Sequence, residues 1–331
     1  MTGQDGLVPD PTPPEPLPSG GEAERADQRG ETARLPETRG LWATAFRELL
    51  HKRSARIGLV MLAVLIIVAV FAPLIAPFDP SDPVGIKEGI KVRSGPCVHL
   101  FGCDRSQPQH LLGTDGNGRD AFSRLLYGAR VSLLAGFGAV AVAVAAGTLL
   151  GLLSGFFGGR IDNLIMRVMD VLLAFPALLL AIAIITVLGQ GLVNAMLAIS
   201  IVTIPAYARV VRSAVLTVRE NDYVAADRAL GVRTARILWN RILPNSLTPL
   251  VVQATLGVAT AVLEIAALSF LGLGVRPPTP EWGSMLAAER NQVFTAPHLV
   301  FFPGLAIMWN VLAFNLLGDG LRDALDPRLN R

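Results

Sequence analysis

Charge is the first thing this sequence is short of. Only 17% of its 331 residues are Asp, Glu, Lys or Arg, where a soluble domain carries about a quarter. The net charge of +3 is too small to suggest a nucleic-acid partner. Catalytic arrangements are missing as well. No G-x-x-x-x-G-K-[ST] phosphate loop occurs, so the chain is not expected to hydrolyse ATP, and the glycines between 155 and 159 have no lysine after them. No Ser/His/Asp or His-x-x-x-His pattern stands out. Residues 115–120, DGNGRD, superficially follow a calcium loop, but Arg119 takes the third carboxylate position and the pattern fails. The expectation is a chain with no catalytic residues, no metal and no cofactor of its own.

Uninterrupted apolar sequence is what the chain has in abundance. Hydrophobic residues make up 52% and the mean hydropathy is +0.49. Residues 57–76, IGLVMLAVLIIVAVFAPLIA, contain no charge, and twenty helical residues rise about 30 Å, the thickness of a bilayer's hydrocarbon core. Five further runs follow at roughly 131–157, 168–188, 192–211, 248–274 and 298–317. Backbone in lipid must satisfy its own hydrogen bonds, and the alternating segments of a barrel are absent, so the runs read as helices. The fold class is therefore an all-α integral membrane protein with six transmembrane helices and both termini on one side.

Sidedness follows from arginine and lysine. Seven Arg fall in 209–241, and Arg47, Lys52, Arg53 and Arg56 precede the first run; the positive-inside rule makes both regions cytoplasmic. The loop 78–130 also holds seven Lys/Arg and lies outside on this count, a conflict at about the loop length where the rule weakens. The partition is a proline-rich disordered cytoplasmic tail at 1–45, a first span in 46–77, an extracytoplasmic loop with an amphipathic segment at 78–130, a core at 131–319 and a short cytoplasmic tail at 320–331.

Several residues admit two readings. Gly147, Gly151 and Gly155 recur every four residues, a stripe suited to close helix packing rather than to ligand recognition. Glu264 lies inside the fifth run, so it must face a partner or a water-filled pathway; either a translocation path or a structural polar contact fits. Asp162, Arg167 and Asp170 serve as interfacial anchors or as an ion pair near a cytoplasmic turn. Pro176 and Pro205 can kink their spans. Cys97 and Cys103, in the outer loop, suit a disulfide; nearby His99 and His110 make a metal site conceivable, but the spacing matches no strong zinc pattern.

The segment 221–245, NDYVAADRALGVRTARILWNRILPN, is charged yet set between apolar runs. Asn221 or Asp222 can cap a helix over 223–230, Gly231 suits a left-handed C-terminal cap, and Thr234 can cap a second helix to about 242 that Pro244 then ends. Ala225, Ala226, Ala229 and Leu230 make a smooth small-residue face, whereas Ile237, Leu238 and Ile242 share an apolar one. A plain positive-inside loop is one reading; a docking knob for a soluble partner is the other.

The segment resembles the cytoplasmic loop of bacterial ABC-importer permeases, which carries Glu-Ala-Ala, three residues, Gly and a later Leu-Pro. Ala226, Gly231, Leu243 and Pro244 fit that spacing; Ala225 stands where the family has Glu, and Asp227 where it has Ala. LLGTDGNGRDAFSRLLYGARVSLL (111–134), LSFLGLGVRPPTPEWGSML (268–286) and NLLGDGLRDALDPR (315–328) are similar to the C-type permease of the dipeptide/oligopeptide/nickel branch, and with the loop they cover most of 57–328. The resemblance implies a type I transmembrane domain in a bacterial inner membrane, in contact with membrane lipid. It implies a homologous second permease, two ATP-binding subunits that use ATP and magnesium and are seated on 220–245 and its counterpart, and an extracytoplasmic binding protein. The implied cargo is a di- or oligopeptide, with nickel chelates, glutathione or another small ligand as alternatives. An ion-gradient transporter or a passive scaffold are the readings from other classes.

Overall fold

A computed structural model describes residues 49–325 apart from 104, 105 and 107. The tail expected at 1–45 and the chain beyond 325 lie outside the described residues. Among the described residues every regular element is a helix, with isolated bridges at Cys97–His110 and Thr114–Asp120. In chain order the main helices are α1 (Arg53–Ile75), α2 (Ala121–Phe157), α3 (Gly159–Leu173), α4 (Ala177–Leu188) and α5 (Leu192–Arg219). They are followed by α6 (Asp222–Ala229), α7 (Thr234–Phe270), α8 (Trp282–Glu289) and α9 (His298–Leu325). Five are long and apolar enough to cross a membrane, and α3 with α4 makes a sixth crossing if the bent pair is one span.

Glycine sets the central packing. A Cβ on Gly147 would lie 2.6 Å from Tyr207 Cβ, one on Gly151 2.5 Å from the Ala208 carbonyl oxygen, and one on Gly155 2.9 Å from Val215 Cβ. The stripe on α2 thus lets the α5 backbone approach, and the neighbour it serves is in this chain. At the bundle's edge Gly58 of α1 admits the Ala313–Leu317 backbone of α9, and Gly320 of α9 admits Ala55. Small residues suit a bilayer, where dispersion contacts replace the hydrophobic drive of water.

Alternation of the long helices puts the start of α1, the 158–159 turn, the α5–α7 connection and the end of α9 at one end. Leu49, Ala55 and Ala324 cluster there, and Arg219 Nη1 donates to the Gly155 carbonyl at 2.7 Å. The opposite end gathers the described residues of 76–120 with 189–191 and 271–297, where Gly191 N–H donates to Leu273 O at 3.4 Å. This end is built around buried charge. Arg124 donates to the carbonyls of Pro80 and Pro278 at 2.8 and 3.0 Å. The Glu281 carboxylate caps α8 by accepting from Gly283 and Ser284 N–H at 2.8 Å each. Glu289 joins Arg93 at 2.8 Å and accepts from Gly116 N–H.

The structure corrects three expected boundaries. Residues 168–188 do not form one straight span: α3 and α4 bend by 94° around Ala174–Pro176, because proline lacks an N–H and disfavours a helical residue before it. The break at 130/131 between loop and core falls inside α2, which starts ten residues earlier, where Asp120 accepts from Ser123 N–H at 2.7 Å as a cap. Likewise α9 runs through 319/320 to Leu325.

Candidate functional site

The α5–α7 connection is compact and tied at several points. In α6, Asn221 occupies the cap position with extended backbone but makes no side-chain cap bond, and Asp222 falls in the first turn, where a carboxylate complements the helix dipole. The other end closes completely. Val232 N–H donates to Asp227 O and Gly231 N–H to Arg228 O, both at 3.0 Å, the paired bonds of a Schellman cap, and Gly231 takes φ +74° to make them.

Two corrections apply to the second half of the loop. Arg233, not Thr234, occupies the cap position, without a side-chain bond. Pro244 does not end the element. A π-turn at Leu238–Ile242 widens the helix ahead of it, Leu243 N–H reaching back to Leu238 O, and α7 continues to Phe270. The wider turn relieves the clash that the proline ring makes with the carbonyl four residues earlier. Carbonyls left over near the proline find side chains: Asn245 Nδ2 donates to Arg241 O at 2.6 Å and Ser246 Oγ to Ile242 O at 2.9 Å.

Anchoring decides which face is presented. Val224, Ile237, Leu238 and Ile242 are buried in the main apolar core. Arg241 Nε bonds Asp227 Oδ2 at 2.9 Å across the two helices, and the Arg228 guanidinium lies 5.4 Å from the centre of the Phe156 ring. That leaves Ala225, Ala226, Ala229, Gly231 and Pro244 exposed, Leu243 half-buried, and Leu230 81% exposed at the tip. A smooth face with one projecting leucine, on a loop held at several points, can act as a fitted plug. Sequence reading missed the Asp227–Arg241 tie and the exposed Trp239; a carboxylate and a guanidinium fourteen residues apart give a signal only once both helices are placed.

The remaining sequence candidates fall elsewhere. Glu264 lies on α7, half-buried, and its shielded Oε2 has no hydrogen-bond partner in the structure. Asp162 forms a two-pronged ion pair with Arg212 of α5, both bonds 2.6 Å, and also accepts from Ser154; Asp170 pairs with Arg209 at 2.5 Å. The arginine pairs fasten α3 to α5, and the Ser154–Asp162 bond closes the 158–159 turn between α2 and α3. Cys97 and Cys103 form a disulfide with Cα atoms 5.4 Å apart. His110, buried, sits between Asp120 at 2.7 Å and Glu88 at 3.1 Å. Among the described residues no three His, Cys, Asp or Glu side chains gather as a metal site.

A bundle of helices long and apolar enough to cross a membrane, with a compact exposed loop at one end, defines the class as an all-α membrane-embedded protein. Residues 147–331 match the family described as binding-protein-dependent transport system inner membrane component, and residues 40–87 match the N-terminal TM domain of oligopeptide transport permease C. The chain belongs to the binding-protein-dependent transport system inner membrane component family, as a C-type permease subunit of a bacterial ABC importer. It is 47% identical to the dipeptide transport system permease protein DppC of Alkalihalophilus pseudofirmus, over 87% of this chain and 90% of that protein. The di/tripeptide transport system permease protein DppC of Pseudomonas aeruginosa is 49% identical over 84% and 89% of the two chains. The glutathione transport system permease protein GsiD of Escherichia coli O157:H7 is 44% identical over 88% and 92%. In fold it is similar to the inward-facing MetNI methionine ABC transporter, with a TM-score of 0.51 and 20% identity, covering 61% of this chain and 96% of that one. Both are type I importer folds, and a subunit of this family works with ATPase and other subunits.

Proposed function

We propose that this subunit forms half of the pathway of an ATP-driven importer for di- and oligopeptides. The observation that carries the reading is the identity to the two DppC permeases, spread over more than four fifths of this chain. Glutathione, itself a small peptide, is the second reading, favoured by the 44% identity to GsiD.

In the proposed assembly a homologous second permease supplies the other half. Two ATP-binding subunits hold and hydrolyse ATP with magnesium, seated on 220–245 here and on its counterpart. An extracytoplasmic binding protein delivers cargo to the opposite end. Both termini are cytoplasmic, and this chain binds no cofactor and catalyses no reaction itself. ATP binding draws the two ATPases together; Ala225, Ala226, Ala229 and Leu230 follow as part of that surface, and the Schellman cap and the Asp227–Arg241 tie keep the loop from absorbing the displacement. The movement passes into α7, and the pathway's access changes side. Glu264 faces that pathway in this reading.

The test is uptake into proteoliposomes holding the co-expressed complex and its binding protein. ATP-dependent accumulation of a labelled dipeptide, insensitive to ionophores, is expected, with glutathione competing weakly. Uptake that needs an ion gradient and no ATP would overturn the reading; strong preference for glutathione would transfer it to the second cargo.

A further inference from the structure

Along one side of the seam between α1 and α9 runs an open groove of about 600 Å³. The seam itself closes on Gly58, where the α9 backbone comes so near that a Cβ would lie 2.7 Å from Leu317 N. Beside it Trp309 of α9 donates its indole N–H to the Met61 carbonyl at 3.3 Å. The ring is thereby held as the far wall, with its donor already used. The near wall is one stripe of α1: Arg53, Arg56, Ile57, Val60 and Val64 follow one another at helical spacing and share a face. Ile57, Val60 and Val64 are exposed, at 55%, 62% and 45%.

The stripe changes character within one turn. Two guanidinium groups stand at its foot, and no other charged side chain lines the groove. Among the described residues neither arginine forms an ion pair. From Arg56 to Val64 eight helical residues rise about 12 Å, close to half of a core about 30 Å thick, the depth of a single leaflet. A cationic foot beneath an apolar wall one leaflet deep matches a phospholipid in order and in length: an anionic headgroup, then an acyl chain. A protein helix crossing beside α1 would engage it throughout, whereas the groove stops at Val64 on a helix that runs to Ile75. Basic pockets between spanning helices are the chemistry that holds anionic headgroups, and each guanidinium fork can pair with two phosphate oxygens at once.

We infer that this groove is a binding site for one anionic phospholipid. Its phosphate pairs with Arg53 and Arg56, and one acyl chain lies over Ile57, Val60 and Val64 against Trp309. The test uses the co-expressed complex in phosphatidylcholine bilayers that contain an equal fraction of either phosphatidylglycerol or phosphatidylcholine brominated along its acyl chains. Trp309 fluorescence, taken as the part lost in Trp309→Phe, is expected to be quenched preferentially by the brominated phosphatidylglycerol. Each arginine is expected to contribute roughly fivefold to that preference. Arg53→Gln with Arg56→Gln then removes it, while Arg53→Lys with Arg56→Lys retains most of it. Equal quenching of the wild type by the two lipids would leave only ordinary boundary lipid and overturn the site. A preference that survives the double glutamine substitution would overturn the headgroup pairing, and the site with it. Absence of quenching by either lipid, with a photo-crosslinking residue at 60 capturing another subunit, would give the groove to a protein instead.

Discussion

At Gly151 the nearest atoms to a hypothetical Cβ are the Ala208 carbonyl oxygen at 2.5 Å and Val211 Cβ at 2.8 Å. The oxygen belongs to backbone and cannot rotate away, so a side chain here must separate α2 from α5. Overpacking of this kind costs about 1–3 kcal/mol and sometimes more. Gly151→Leu is expected to lower the melting temperature of the detergent-purified subunit and its yield in membranes; wild-type yield and melting would mean the helices re-seat freely. Glu281 offers a second test, through protons. It is 1% exposed, and burial pushes its carboxyl above the usual range, although the N–H donors of Gly283 and Ser284 pull the other way. A native value above the unfolded one means the folded state holds the proton longer. Its contribution is then full below the ordinary Glu value of about 4.3 and is lost as pH rises through the raised value. Melting temperature should decline across that window, and Glu281→Gln should flatten the decline. A slope unchanged in the variant would assign it to other groups.

Among the elements, the α6–α7 connection depends on one backbone conformation. Space around Gly231 is open, so a side chain there meets no neighbour; the difficulty is φ +74°. A left-handed residue costs roughly 1–2 kcal/mol for most side chains, and a β-branched one is least tolerant. Gly231→Val is expected to leave the subunit in the membrane while raising ATP hydrolysed per peptide transported, measured as the ratio of phosphate release to uptake. A normal ratio would mean the Schellman cap is dispensable. This connection was legible in the sequence where local chemistry dominates: the glycine, the alanine face and the buried Ile237, Leu238 and Ile242 are all nearest-neighbour facts. Pro244 was misread because a proline's local rule was overridden by the π-turn before it. The start of α2 was misplaced because Arg124 and Arg130 interrupt the apolar run; the Asp120 cap is local, whereas the Pro80 and Pro278 carbonyls that neutralise the burial of Arg124 lie 44 and 154 residues away. The bend at 174–176 was hidden inside an apolar run, since hydropathy records depth and not direction.

For the whole molecule, the apolar runs settled the class because a bilayer leaves so few backbone solutions. Family membership adds what the residues alone could not, since the alanine-faced loop is equally consistent with a plain charged turn until the long matching stretches are seen. Glu264→Ala tests the assembled machine. Uptake is expected to fall several-fold while the complex still purifies intact, read by transport rate beside subunit stoichiometry; unchanged uptake would make Glu264 a packing residue. One dimension of the bundle bears on how such a change would arise. From Ile242 to Glu264 the α7 helix is unbroken and about 33 Å long. If the π-turn flexes by roughly 5°, the carboxylate sweeps through roughly 3 Å, about the length of one hydrogen bond. A small tilt at the Leu238–Ile242 turn would therefore reach Glu264 magnified, with Pro249 the one proline inside the helix between them.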